Sequence, residues 1–239
     1  MKVAVIGAGS WGTALAAVAR RAGRDVVIWG RDADILEAIE QRRENLRYLP
    51  KIELPAGITG TTDMAAALEG ADAVMVVTPS RTLRAICEQM APLLDESVPV
   101  ALCAKGIEAD SGLLMTQVAA QALPSRHIGA ISGPTFAHET ALDHPTAATV
   151  AFPFDYEHRL SPQDSPAARF ALSLSTGSFR AYISDDLIGV EIGGAVKNVI
   201  AIACGMMTGA GFAENTRAAL ITRGMDEMKA LAEALGGRR

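Results

Sequence analysis

Three glycines at G-x-G-x-x-G spacing, Gly7, Gly9 and Gly12, and two lysines in unlike surroundings, Lys105 and Lys197, are the residues whose types and spacing could do chemistry. The glycines follow a short apolar run (Val3, Ala4, Val5, Ile6) and open a helical pattern, so the stretch reads as strand, phosphate loop and helix. In that arrangement the first glycine allows a sharp turn, the second lets the backbone approach a diphosphate, and the third lets helix and strand pack closely. The diphosphate sits on the free N–H groups at the positive end of the helix. The motif alone is weak, because glycines also collect in turns that bind nothing. The strand before it and the helix after it supply the context that a dinucleotide fingerprint requires.

The second apolar run, Val26, Val27, Ile28 and Trp29, bears on which dinucleotide is held. Enzymes that hold NAD place an acid near the end of this strand for the ribose 2′-hydroxyl. Gly30 stands there instead, followed by Arg31, whose guanidinium offers a forked, charge-assisted partner to a 2′-phosphate. NADP(H) is therefore expected to be preferred and NAD(H) accepted. The competing reading makes Arg31 a solvated turn residue and Asp32 the ribose acceptor one place late.

In sheets of this kind ligands bind beyond the C-terminal ends of the strands, so the residues just after strands matter. Lys105 follows an apolar run at 98–104. Gly133 and Thr135 follow another at 127–132 and would offer backbone N–H groups and a hydroxyl. Lys197 lies in GVEIGGAVKNVIAIACG, a mostly apolar helical stretch where a charge is costly unless paired or functional. Either it pairs with Glu191 or Asp186 or snorkels to solvent, or it is an acid or base. A lysine serves as one when burial or a second cation lowers its pKa, and Lys105 beside Lys197 would make such a pair. Lys105 taken alone reads more readily as a surface turn residue than as a functional one until a fold places it. His127, His138, His144 and His158 are scattered and have no triad or metal spacing, so no metal site is expected. Arg217 and Arg223 read as solvated or helix-pairing residues.

The elements that must position these groups alternate. Strand patterns at 3–6, 26–29, 58–61, 73–77, 98–104, 127–132, 146–151 and 179–184 are interleaved with helical ones, which predicts an α/β fold with a doubly wound, Rossmann-like, mainly parallel sheet. Asp63 is an expected helix N-cap, as is Ser80 for a helix to Leu94. Residues 34–43 read as a charged, solvent-facing helix and 154–166 as an exposed connection. From Asp185 the strand signals stop. The pattern predicts a dinucleotide-binding domain at 1–184 and the beginning of an all-helical domain at 185–239, with helices over 187–207 and 214–235.

The chain has 239 residues, 49% of them apolar, enough for a sizeable core. Its formal net charge is -5 without a basic tract, which argues against nucleic acid as a partner. Cys87, Cys103 and Cys204 lie far apart in apolar settings and read as reduced, buried thiols of a cytoplasmic protein. Met1 leads straight into a strand, so no signal peptide is expected. The most apolar segment, 199–213, holds three glycines and reads as buried helix and turn, with no membrane span.

Taken together the motifs resemble the bacterial-type NAD(P)-dependent glycerol-3-phosphate dehydrogenases. The resemblance rests on GAGSWGTALA, WGRD, NLRYLP, VTPS, KGIE, SGPTFAHE and DDLIGVEIGGAVKNVIAIACG continuing into NTRAALITRGMDEM, and it spans the chain. It implies that Ser10, Trp11, Arg31 and Ala137, beside the glycines, contact NADP or NAD, and that Lys105, Gly133 and Thr135 touch the substrate, Lys105 also lying near the cofactor. Lys197 looks like the family's catalytic proton donor and acceptor, with Lys105 orienting the carbonyl oxygen. The implied reaction is reversible hydride transfer between NAD(P)H and dihydroxyacetone phosphate, giving sn-glycerol 3-phosphate for phospholipid synthesis. The family continues into a Gly-Asp-Leu motif and a Ser-Arg-Asn cluster that grips the substrate phosphate. The sequence ends at Arg239 before either, so a C-terminally truncated substrate half and exposed apolar helix faces are expected. That departure leaves a second expectation, a dinucleotide-binding remnant without turnover, and leaves a homodimer open. A reductase of a related helical-domain family acting on another hydroxy acid is disfavoured by SGPTFA and GGAVKN together.

Overall fold

Alternate residues of the first strand feed two separate cores. In β1 (Lys2–Ile6), Val3 and Val5 join one apolar cluster while Ala4 and Ile6 join another on the opposite face. A strand covered on both sides must be apolar throughout, which is why the run is continuous instead of alternating. The structure is a computed structural model and describes residues 1–238. Its eight strands form one sheet in the order β3-β2-β1-β4-β5-β6-β7-β8.

The strands are β1, β2 (Asp25–Trp29), β3 (Ile58–Thr61), β4 (Ala73–Val76), β5 (Val100–Leu102), β6 (Ile128–Ser132), β7 (Thr146–Ala151) and β8 (Phe179–Ser184). All pairings are parallel except β6 with β7. The helices are α1 (Ser10–Arg21), α2 (Ala33–Glu37), α3 (Met64–Leu68), α4 (Leu83–Met90), α5 (Met115–Ala122), α6 (Ala137–Ala141), α7 (Tyr156–Leu160), α8 (Pro166–Leu174), α9 (Leu187–Gly209) and α10 (Glu214–Ala234). The cluster fed by Val3 and Val5 takes in α1 and α8, and the one fed by Ala4 and Ile6 takes in α3, α4 and α5. Phe152 and Phe170 are fully buried and stacked, with centroids 5.4 Å apart. Phe170→Ala is expected to cost about 3–5 kcal/mol in urea unfolding, because neighbours fixed by the sheet cannot collapse into the space. A loss below ~1 kcal/mol would mean that the pair is not part of the core.

The structure departs from the sequence reading in several places. The helix expected over 34–43 is α2 running into a π turn at Ala38–Arg42, and Leu36, Ala38 and Ile39 are buried, so it is not simply solvent-facing. Asp63 caps α3 as expected, accepting from Ala65 N and Ala66 N. Ser80 instead begins a 3-10 turn and makes no side-chain cap. The connection at 154–166 contains α7, and Ser165 is fully buried where its hydroxyl accepts from Ala168 N to cap α8. Cys87 and Cys103 are buried, but Cys204 is only partly so.

The largest correction concerns 199–213. α9 is one unbroken helix of 23 residues that passes through its glycines, and Val199, Ile202 and Met206 stand 66%, 64% and 71% exposed. Its first half docks on the sheet and on α10, where Ile192, Leu114 and Ala232 form a small core of their own. Among the described residues nothing covers the second half beyond α10. By length and composition α9 could cross a membrane, a criterion that the core helix of a globular domain also meets.

Candidate functional site

The groups singled out by type and spacing lie at the C-terminal ends of β1, β2, β5 and β6, one edge of the parallel part of the sheet. At that edge β1 turns into α1. Gly7 has φ +128°, and a Cβ there would stand 2.5 Å from Val77 O. At Gly12 a Cβ would stand 1.8 Å from Gly7 O, so helix and loop touch backbone to backbone. A Cβ on Gly9 would meet nothing within 4 Å, and this is the side on which a diphosphate can approach the N–H groups of α1. The loop therefore fits a dinucleotide: two glycines are demanded by the turn, and the third stands open.

A side chain that the sequence reading did not single out holds this loop. Asn45 is buried, its amide donating to Ala8 O at 3.1 Å and to Thr13 Oγ1 at 2.8 Å while its carbonyl accepts from Tyr48 N at 3.2 Å. Ser10 Oγ donates to Tyr48 O at 2.7 Å. The segment from Asn45 to Tyr48 is thus tied across the head of α1, and its place at the start of the NLRYLP motif was the signal in the sequence. Trp11 is half-buried and packs on the core fed by α1.

Gly30 closes β2 against the same loop, where a Cβ would sit 2.9 Å from that of Ala8. An acid at this position would have to displace the phosphate loop. Asp32 is already engaged, accepting from Ile35 N at the head of α2 and from Arg47 Nη1 at 3.2 Å. Arg31 is exposed and has no partner among the described residues.

At the other end of the edge, Lys105 follows β5 and Lys197 rides on α9. Both ammonium groups donate to one oxygen, the carbonyl of Gly133, at 3.3 and 3.0 Å. The two carboxylates that could have neutralised Lys197 are elsewhere: Asp186 caps α9 through Gly189 N, and Glu191 accepts from Thr116. Burial, then the neighbouring Lys197, brings the Lys105 ammonium down to about 8. Burial pushes the Cys103 thiol nearby up to about 12, so it supplies no thiolate. Gly133 offers its carbonyl to the lysines, where N–H groups were expected. A Cβ on it would stand 2.9 Å from Ala147 O, which keeps the loop flat on β7. Thr135 follows in that loop, and Ala137 begins α6, which packs beside α1. Arg217 and Arg223 pair within α10, with Glu214 and Glu227.

Two cations thus converge on a neutral acceptor a few strands from a diphosphate-type loop. Such a site suits a carbonyl oxygen that gains negative charge next to a bound dinucleotide, so fold and site are of the kind found in nucleotide-dependent oxidoreductases. Residues 2–157 match the model of the NAD-dependent glycerol-3-phosphate dehydrogenase N-terminus, and residues 186–239 match that of its C-terminus. The chain belongs to the NAD-dependent glycerol-3-phosphate dehydrogenase family. It is 46% identical over 236 residues to the glycerol-3-phosphate dehydrogenase (NAD(P)+) of Rhodospirillum rubrum, covering 99% of this chain and 65% of that one. It is 48% identical over 237 residues to the enzyme of the same name from Paramagnetospirillum magneticum, covering 99% and 82%. Among solved structures, the glycerol-3-phosphate dehydrogenase of Coxiella burnetii superposes with a TM-score of 0.87 at 37% identity, over 99% of this chain and 70% of that one.

Proposed function

We propose that this chain transfers hydride between NAD(P)H and dihydroxyacetone phosphate, forming sn-glycerol 3-phosphate for glycerophospholipid synthesis. The observation that carries the reading is the pair of ammonium groups on Gly133 O, at the sheet edge that also bears the glycine loop. A bound nicotinamide dinucleotide supplies the hydride, or accepts it in reverse. Gly7, Gly9 and Gly12 hold its diphosphate, with Ser10, Trp11, Arg31 and Ala137 along its length. Lys197 gives its proton to the carbonyl oxygen as the carbon receives hydride, and takes it back in oxidation. Lys105, with Gly133 and Thr135, orients the substrate, and its charge stabilises the oxygen as it becomes negative. The assigned division is a dinucleotide domain at 1–184 and the start of a helical substrate domain at 185–239. The three unpaired thiols support action in the cytoplasm.

The test is absorbance loss on mixing NADPH with dihydroxyacetone phosphate, with dinucleotide binding followed by fluorescence in the same samples. A second reading, binding without turnover, is favoured by the exposed apolar residues of α9 and α10, among them Val199, Met206 and Met225, since these helices form the substrate side. Binding without absorbance loss would establish it. The same faces are where a homodimer would form.

Arg31 carries the cofactor preference in this reading. Arg31→Ala is expected to weaken NADPH binding about tenfold or more, the loss of a charge-assisted bond, and to leave NADH binding within about twofold. An equal effect on both cofactors would remove Arg31 from the selection of the 2′-phosphate.

A further inference from the structure

One buried acid plays no part in that chemistry. Glu191, in the second turn of α9, is 8% exposed, and its carboxylate accepts from Thr116 N at 2.9 Å and makes a second bond with Thr116 Oγ1. Thr116 lies in the first turn of α5, whose N-cap residue is Leu114, a side chain with no oxygen. Within α5 Gln117 Oε1 accepts from Leu114 N at 2.9 Å, and the acid on α9 takes the next free N–H, that of Thr116, in the favourable field of a helix N-terminus. Burial raises its carboxyl above the usual range, while the bonds from Thr116 and the Met115 N–H oppose that rise.

Position along α9 links this contact to the lysines. At three-residue steps the helix presents Glu191, Gly194 and Lys197, neighbouring positions along one side. Gly194 touches the sheet end so closely that a Cβ would stand 2.8 Å from Ser132 Oγ and 3.5 Å from Lys105 Cγ. Lys197 then reaches Gly133 O. A helix held at Glu191 and flush at Gly194 has no freedom to slide or roll at Lys197, and its approach buries the Lys105 stem. Remove the first contact, and α9 loses its polar tie to α5, leaving the apolar core around Ile192 and the packing on α10 and the sheet end to hold it.

We propose that Glu191 is a positioning residue for the lysine pair: by capping α5 at Thr116 it locks α9 in the register that sets Lys197 and Lys105 on one carbonyl oxygen. It touches neither substrate nor cofactor. The significance of the pair rests on the proposed reaction, but its geometry can be read without it. The titratable groups facing Lys105 are Lys197 from α9 and Cys103 from β5.

The experiment is an NMR titration of the full chain carrying 13C-dimethylated lysines, five in all, with neither cofactor nor substrate present. Lys105 is assigned by its absence in Lys105→Arg. Wild-type Lys105 is expected to titrate near 8. In Glu191→Ala its midpoint should rise by about one unit or more toward the ordinary ~10.4, because both the burial and the neighbouring charge depend on α9. Glu191→Gln, which can accept from Thr116 N and donate to Thr116 Oγ1, should restore the wild-type midpoint. Thr116→Val, which keeps the backbone N–H of α5, should give an intermediate rise, and it carries the test if Glu191→Ala does not fold. An unmoved midpoint in Glu191→Ala or, failing that, in Thr116→Val would overturn the proposal, even with a lowered melting temperature, since Glu191 would then only support the fold. Absence of turnover in the wild type would instead sink the proposed reaction and leave the titration result standing.

Discussion

Lys197→Ala is expected to abolish measurable turnover while leaving dinucleotide binding unchanged. The proposed acid is the one group on α9 that reaches the sheet edge with a proton to give, and its loss removes proton transfer from the transition state. That contribution is about 10²–10⁴-fold in kcat, or about 3–5 kcal/mol. Lys105 donates to the same oxygen of Gly133 from the β5 side, and its proposed part is to supply charge. The pH dependence separates the two roles. With its ammonium brought down to about 8, Lys105 is charged below that pH and neutral above it. The stabilising charge is thus present on the acid side, and the rate of ketone reduction should fall as pH rises through about 8. Steady-state rates from pH 6.5 to 9.5 with matched fluorescence binding check both points. Retention of more than about a tenth of kcat in Lys197→Ala would remove Lys197 as the acid, since a general acid contributes more than that.

How much of this could be read from residues alone follows a physical line. Continuous apolar runs covered on both faces announce themselves, so β1 and β4 fall within one residue of their expected bounds and the glycine loop lies where its spacing puts it. Short elements set by side-chain caps were harder. α6 has five residues and Phe136 as its N-cap residue, which offers no oxygen to mark the start, and α8 is capped by a serine that looked like part of a polar connection. The site divides likewise. Lys105 and Lys197 could be picked out as charges after a strand and on an apolar helix, but their common acceptor could not, because it is a backbone oxygen and every residue has one. Glu191 was weighed as a partner for Lys197 by its distance along the chain, whereas its partner Thr116 lies 75 positions away. Asn45 is of the same kind: its partners, Ala8 O and Thr13, are close only after α1 has folded back on β1. Burial of α9 was misjudged because composition tells what a helix can bury and says nothing of what is there to cover it.

Gly9→Ala and Gly12→Ala are expected to fail in opposite ways, and the contrast tests the loop more sharply than either alone. At Gly12 the added methyl would sit 1.8 Å from a backbone oxygen of Gly7, which no rotamer can relieve. The loop and the head of α1 must move apart, opening the closest contact between β1 and its helix. Destabilisation should reach about 3–5 kcal/mol, with dinucleotide binding lost as a consequence. At Gly9 the backbone has φ -76° and ψ -175°, open to any L-residue, and a methyl there meets nothing. Gly9→Ala should therefore melt within about 0.5 kcal/mol of wild type. Yet the open side of Gly9 is the one from which a diphosphate would approach the N–H groups of α1, and a methyl there holds it off by more than an ångström. Binding of NADPH and NADH should weaken together by about 100-fold, or ~2.7 kcal/mol, because the diphosphate is common to both. Thermal unfolding and fluorescence titration of the two variants suffice. Unchanged affinity in Gly9→Ala would place the diphosphate elsewhere and take the proposed dinucleotide site with it, whereas a large loss of stability there would mean that the loop is tighter than its backbone geometry indicates.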